Sequence, residues 1–129
     1  MNVTSSRGLN SIMGSPRYMS PEQWQNGVKV DRQSDIWSVG VLLHRCLSGK
    51  LPFGEGETHW SQIMMSVLNS GTKPACLIHG YDEDLDIDPC LACVVNRALA
   101  RDKCRRYKDA GHMLRELEVV YGDIQVCDL

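Results

Sequence analysis

Ser34-Asp35-Ile36-Trp37-Ser38-Val39-Gly40-Val41-Leu42-Leu43-His44-Arg45-Cys46-Leu47 is the stretch that decides how this chain folds. Its apolar residues (Ile36, Trp37, Val39, Val41, Leu42, Leu43, Cys46 and Leu47) spread around most of a helical wheel instead of lining one stripe. A helix that is apolar nearly all round belongs inside a core. The spacing predicts a helix from about Ser34 to Leu47, stopped by the glycine and proline of Ser48-Gly49-Lys50-Leu51-Pro52. It is the expected central pillar, with Trp37 and Leu43 among its deepest side chains.

Upstream, residues 2–15 are polar, rich in serine and glycine, and aperiodic, which reads as loop. Ser20-Pro21-Glu22-Gln23 then starts a short helix: Ser20 caps, Pro21 suits the first helical position, Gln23 completes a capping box, and Gly27 ends it. Downstream, Trp60, Ile63, Met64, Val67 and Leu68 recur as one face of a helix over about 59–69 that Gly71 stops. A loop with the acidic run 82–88 follows. Asp88-Pro89 opens a fourth helix whose apolar face carries Leu91, Val94, Val95, Ala98 and Leu99. A basic connection, 101–108, leads to a fifth helix with Met113, Leu114, Leu117 and Tyr121 inward and Gly122 at its end. The expected fold is all-α, about five helices around one buried central helix.

With 129 residues the chain has room for one compact domain. A charged fraction of 23% and a hydrophobic fraction of 43% place it among folded globular chains. The formal charge of −2 argues against a broadly basic nucleic-acid binder. No stretch approaches the ~20 apolar residues of a membrane helix. The first residues lack the apolar centre of a secretory signal, so the sequon Asn2-Val3-Thr4 reads as chance and an intracellular, cytoplasmic location is expected.

Two candidate metal sites fail on spacing. Cys90-Leu91-Ala92-Cys93 is a lone CxxC, with His79 and Cys104 as the nearest further ligands, whereas a closed zinc site needs four ligands. Reduced, half-buried helix cysteines are expected instead. Asp82, Asp84, Asp86 and Asp88 alternate as in a calcium loop, but Ile87 and Cys93 stand where glycine and glutamate are required. No metal is expected in this chain.

Three segments are more specific than any helix pattern: Gly14-Ser15-Pro16-Arg17-Tyr18-Met19-Ser20-Pro21-Glu22; Ser34 to Gly40 followed by Gly49-Lys50-Leu51-Pro52-Phe53; and Ala98-Leu99-Ala100-Arg101-Asp102-Lys103-Cys104-Arg105-Arg106-Tyr107. In this order and spacing they resemble the C-terminal half of a eukaryotic-type Ser/Thr protein kinase domain, from the activation segment to the last helix. The resemblance divides the chain into an activation-segment and substrate-loop region (1–19), a helical body (20–122) and a tail (123–129).

The resemblance implies residue roles. Ser20-Pro21-Glu22 stands where the family has Ala-Pro-Glu, and Arg106 stands where an arginine pairs with that glutamate. Asp35 matches the aspartate that caps the central helix and holds the catalytic loop; Trp37 and Gly40 belong to the same structural motif. Ser15, Arg17, Tyr18 and Met19 form the substrate loop, with Ser15 at the position that marks the Ser/Thr branch. Thr4, Ser5, Ser6 and Ser11 lie where the family is phosphorylated, and are candidate phosphosites.

The glycine-rich phosphate loop, the strand lysine, the catalytic aspartate and the Asp-Phe-Gly aspartate of kinases are not found in these residues. Gly54-Glu55-Gly56 is a G-x-G with His59 at the third glycine position. The sequence therefore reads as a kinase domain cut through its cleft, with no catalytic residue of its own. ATP and Mg²⁺ are expected for the complete parent domain and not for this chain alone. The expected partners are protein substrates or the missing N-terminal part of the domain, or a second copy through the exposed face of the central helix. The alternative is a non-catalytic docking or decoy module that uses the loop at Tyr18 and the helix at Trp60.

Overall fold

The computed structural model describes residues 15–25, 28–69 and 87–127, the side chains after residue 122 excepted. Their regular structure is helical throughout: a 3-10 turn Pro16–Tyr18, α1 (Pro21–Trp24), α2 (Arg32–Ser48), α3 (Trp60–Leu68), α4 (Pro89–Ala98), a 3-10 turn Lys103–Arg105 and α5 (Ala110–Cys127). Among the described residues there is no strand. The expected all-α architecture, with about five helices, is what the described residues adopt. Gly27, Gly71, Cys76, His79, the acidic positions 82–86 and the candidate phosphosites Thr4, Ser5, Ser6 and Ser11 lie outside the described residues.

Helix α1 opens as its sequence dictates, with proline at the first position and the Gln23 side chain accepting from the Ser20 N–H at 2.8 Å. Helix α2 starts earlier than the spacing predicts, because the cap is Asp31 and not Asp35: Oδ1 of Asp31 accepts from the Gln33 N–H at 2.9 Å. Asp35 sits in the first turn, exposed. At the other end Gly49 takes φ 74°, and its N–H reaches the Arg45 carbonyl at 2.8 Å. That left-handed cap is cheap only for glycine.

Trp37 is fully covered, and Ile36, Gly40 and Val41 are buried beside it. The other expected deep residue is not deep. Leu43 is half-buried, and His44 takes the closed position, its Nδ1 donating to the Lys50 carbonyl at 2.8 Å. Val39 and Leu42 are 41% and 50% exposed. The pillar is thus one-sided: α4 and the Pro16–Tyr18 turn cover it, and Asp35, Val39, Leu42 and Cys46 form an open stripe at helical spacing. An even wheel of apolar residues cannot say which side its neighbours take.

Two clusters form the core. Trp37 stacks on Phe53 with ring centroids 5.4 Å apart, and Val41, Leu51, Val67, Ala92, Val95 and Leu99 close around them. Ile36, Val94, Ala98, Tyr107, Met113 and Val120 form the second cluster, on the α5 side. Gly40 lets α2 and α4 touch: a Cβ there would lie 2.9 Å from the Ala98 Cβ.

Four further expectations are corrected. Trp60 is 54% exposed and stacks on Trp24 instead of joining Ile63 and Val67 inside. The inner face of α5 is Met113, Leu117 and Val120, while Leu114 and Tyr121 are 55% and 62% exposed. Helix α5 also passes through Gly122, since an interior glycine costs a helix only about 1 kcal/mol. The described cysteines Cys46, Cys90, Cys93 and Cys104 are free and exposed, not half-buried.

Candidate functional site

The sequence-predicted residues gather in two neighbouring places. The first is built on Arg106, which is 1% exposed. Its Nη1 donates to Glu22 Oε2 at 2.6 Å and its Nη2 to Glu22 Oε1 at 2.7 Å. Nη1 also reaches the Gln33 carbonyl at 3.0 Å, Nη2 the Arg101 carbonyl at 3.2 Å, and Nε the Ala100 carbonyl at 2.6 Å. Every donor of the guanidinium is therefore engaged. Its plane lies over the Trp37 ring, 5.2 Å from the centroid. Ser34 Oγ donates to Glu22 Oε2 at 2.8 Å.

Burial pushes the Glu22 carboxyl up, but the Arg106 hydrogen bonds and charge, its own backbone and the Ser34 hydroxyl outweigh that and hold it below its ordinary value. A buried ion pair is stabilising only when its remaining lone pairs and protons are satisfied, as they are here. The pair ties α1, the first turn of α2 and the segment after α4 into one unit.

The second place is the Pro16–Tyr18 turn. Ser38 Oγ donates to the Tyr18 carbonyl at 2.8 Å, Arg45 Nη1 donates to the Tyr18 hydroxyl at 3.1 Å, and Arg17 Nη2 donates to the Glu57 carbonyl at 3.1 Å. Helix α2 and the 54–57 turn thus hold the turn from both sides. Ser15, Arg17 and Tyr18 are half-buried there, whereas Met19 is 3% exposed and points into the core. Asp35 belongs to neither place and has no hydrogen-bond or ion-pair partner among the described residues.

Gln33, Ser34, Ser38, Arg45 and Glu55 were not legible as functional from sequence. Gln33 bridges its helix to the Lys103 and Tyr107 carbonyls at 2.7 and 3.1 Å, a tertiary contact with no local signal. Lys103 in turn meets the cap Asp31 at 3.1 Å.

Among the described residues no group of His, Cys, Asp or Glu side chains could hold a metal. Gly54 and Gly56 both have positive φ, and the Glu55 carboxylate accepts from the Leu51 N–H at 2.7 Å, so the G-x-G closes a tight structural turn. What the arrangement does is hold the Pro16–Tyr18 turn against α2 and the 54–57 turn through side-chain hydrogen bonds. No described helix is long and apolar enough to cross a membrane.

A family model described as protein kinase domain matches residues 1–116. Serine/threonine-protein kinase PknB of Mycobacterium tuberculosis is 33% identical over 112 residues, covering 87% of this chain and 17% of that protein. A probable serine/threonine-protein kinase of Clostridium acetobutylicum is 32% identical over 119 residues, 92% of this chain and 17% of that protein. PknB of Mycobacterium leprae is 33% identical over 119 residues, 92% of this chain and 18% of that protein. The chain thus spans less than a fifth of the length of these relatives. It belongs to the protein kinase domain family, as part of a eukaryotic-type Ser/Thr kinase domain.

Proposed function

We propose that this chain is the substrate-side, helical part of a Ser/Thr protein kinase domain whose complete form transfers a phosphoryl group from ATP, with Mg²⁺, to protein serine and threonine. The observation that carries the reading is the Glu22–Arg106 clamp, which locks the end of the activation segment to the two helical segments behind it. Phosphoryl transfer of this kind is almost entirely positioning and charge stabilisation. The role of these residues is positioning: the Pro16–Tyr18 turn offers the peptide a fixed edge while other parts of the domain hold the nucleotide and accept the hydroxyl proton. Alone, the 129 residues are catalytically incomplete.

The same reading supplies partners. The open stripe of Val39 and Leu42 on α2 is covered by the rest of the domain, or by a second copy when that is absent. Protein substrates dock at the turn. Nucleic acid and membranes are not partners, and the working location is the cytoplasm.

The test is a hybrid in which the matched residues of M. tuberculosis PknB are replaced by those of this chain. The hybrid is expected to phosphorylate Ser/Thr peptides with Mg²⁺ and to lose that activity on Glu22→Ala. A hybrid that folds and binds ATP yet transfers nothing contradicts the reading.

A further inference from the structure

Beside the Pro16–Tyr18 turn is a pocket of about 280 Å³ whose walls include Ser15, Arg17, Arg45, Gly49, Glu55 and Gly56. Its surface is mostly polar, and its charge is unbalanced. Arg17 spends one guanidinium nitrogen on the Glu57 carbonyl and Arg45 spends one on the Tyr18 hydroxyl, both neutral acceptors. Among the described residues neither arginine lies within ion-pair distance of a carboxylate. The one acidic wall residue, Glu55, is turned to the Leu51 N–H, with its Oε2 at 2.7 Å. Two guanidinium groups, each with donors left over, therefore face one cavity. Gly49 and Gly56 add no side chain to it, and a Cβ on either would meet nothing within 4 Å, so the mouth stays wide.

We infer that this pocket takes an acidic side chain of the substrate peptide, a carboxylate or a phosphate group, held by Arg17 and Arg45. Guanidinium is the group that matches both anions with paired hydrogen bonds. The position fits, because Arg17 and Tyr18 belong to the very turn proposed to carry the peptide, and the pocket opens alongside it. The inference rests on that substrate-loop reading and adds the charge that the loop selects. The preference it sets is one of charge, so it weakens with salt.

The test uses fluorescein-labelled peptides sharing one central serine, flanked by glutamate, by phosphoserine, by lysine or by serine alone. Binding to the 129-residue chain is read by anisotropy at low and high salt. The glutamate and phosphoserine peptides are expected to bind about tenfold more tightly than the serine-only one, the size of a charge-assisted hydrogen bond. The margin shrinks in high salt, and a larger gain for phosphoserine than for glutamate identifies phosphate as the better ligand. Arg45→Glu reverses the order in favour of lysine, and Arg17→Gln flattens it. Arg32→Glu, an exposed change at the far end of the same helix, leaves the order intact. Arg45 is exposed, so its replacement does not threaten the fold, which the helical circular dichroism of each variant checks. Equal binding of all peptides, or an order unchanged by Arg45→Glu, overturns the inference while leaving the substrate loop standing. No binding of any serine peptide overturns both.

Discussion

Arg106 meets Glu22 through two parallel hydrogen bonds, 2.6 and 2.7 Å long, with 0% and 4% of the two side chains exposed. Removing one partner leaves the other charge buried alone. Glu22→Ala and Arg106→Ala are each expected to cost ~3–5 kcal/mol of stability. The double variant is expected to cost far less than the sum, because the second deletion removes the stranded charge. Urea unfolding of the three variants checks this, and additive losses refute it.

The same pair makes stability fall in acid. Burial raises the Glu22 carboxyl, but Arg106 outweighs it, so its folded value lies below the ordinary 4.5. Between those two values the unfolded chain binds a proton that the folded chain does not. The stabilisation is therefore complete above about 4.5 and lost as the pH drops through the folded value. Asp31, held down by the Gln33 N–H and then Lys103, and Asp109, held down by the His112 N–H, pull the same way. Unfolding free energy measured from neutral pH into acid should decline below that point, and Glu22→Gln should flatten the decline. A wild-type curve level through acid contradicts the assignment.

Gly40→Ala sets two effects against each other. Alanine improves helix propensity by up to ~1 kcal/mol. The new Cβ would stand 2.9 Å from the Ala98 Cβ, which is fixed to the α4 backbone, and 3.1 Å from the Leu99 Cδ2. Overpacking of that kind costs ~1–3 kcal/mol, so the net change is destabilising by up to ~2 kcal/mol even at the full propensity gain. A raised melting temperature in this variant shows that the two helices have room to part.

Within α2 the effects of truncation should follow burial and not hydrophobicity. Trp37→Ala removes a fully covered ring and is expected to cost ~3–5 kcal/mol. Leu43→Ala, half-buried, should fall below the ~2–5 kcal/mol of a core leucine, and Leu42→Ser should stay within ~0.5 kcal/mol. Thermal melts of the three rank them, and a Leu42 variant as damaging as Trp37→Ala contradicts the one-sided pillar.

The parts of the fold that were legible in sequence are those with local chemistry. Asp88-Pro89, Ser20-Pro21 and Gly49 mark helix ends because capping and backbone geometry act within a few residues. The Glu22–Arg106 contact, 84 residues apart, was legible only through the resemblance to a known family. What failed was everything set by a neighbour the pattern does not name. Asp31 and Asp35 are both good helix starters, and the tertiary bonds from Lys103 to Asp31 and from Gln33 to the Lys103 and Tyr107 carbonyls favour the earlier one. Leu43 and His44 exchange places because the Lys50 carbonyl gives the histidine a buried partner. The pocket at Arg17 and Arg45 joins residues of a turn and a helix end that no periodicity connects.

The central claim is that these residues position a substrate and do not perform the transfer. Its most direct measurement is phosphate transfer from γ-labelled ATP to a pool of Ser/Thr peptides by the purified 129-residue chain with Mg²⁺. Transfer is expected to stay at the level of a protein-free control. Mg²⁺-dependent transfer that rises in proportion to the chain and co-elutes with it through two columns contradicts the account.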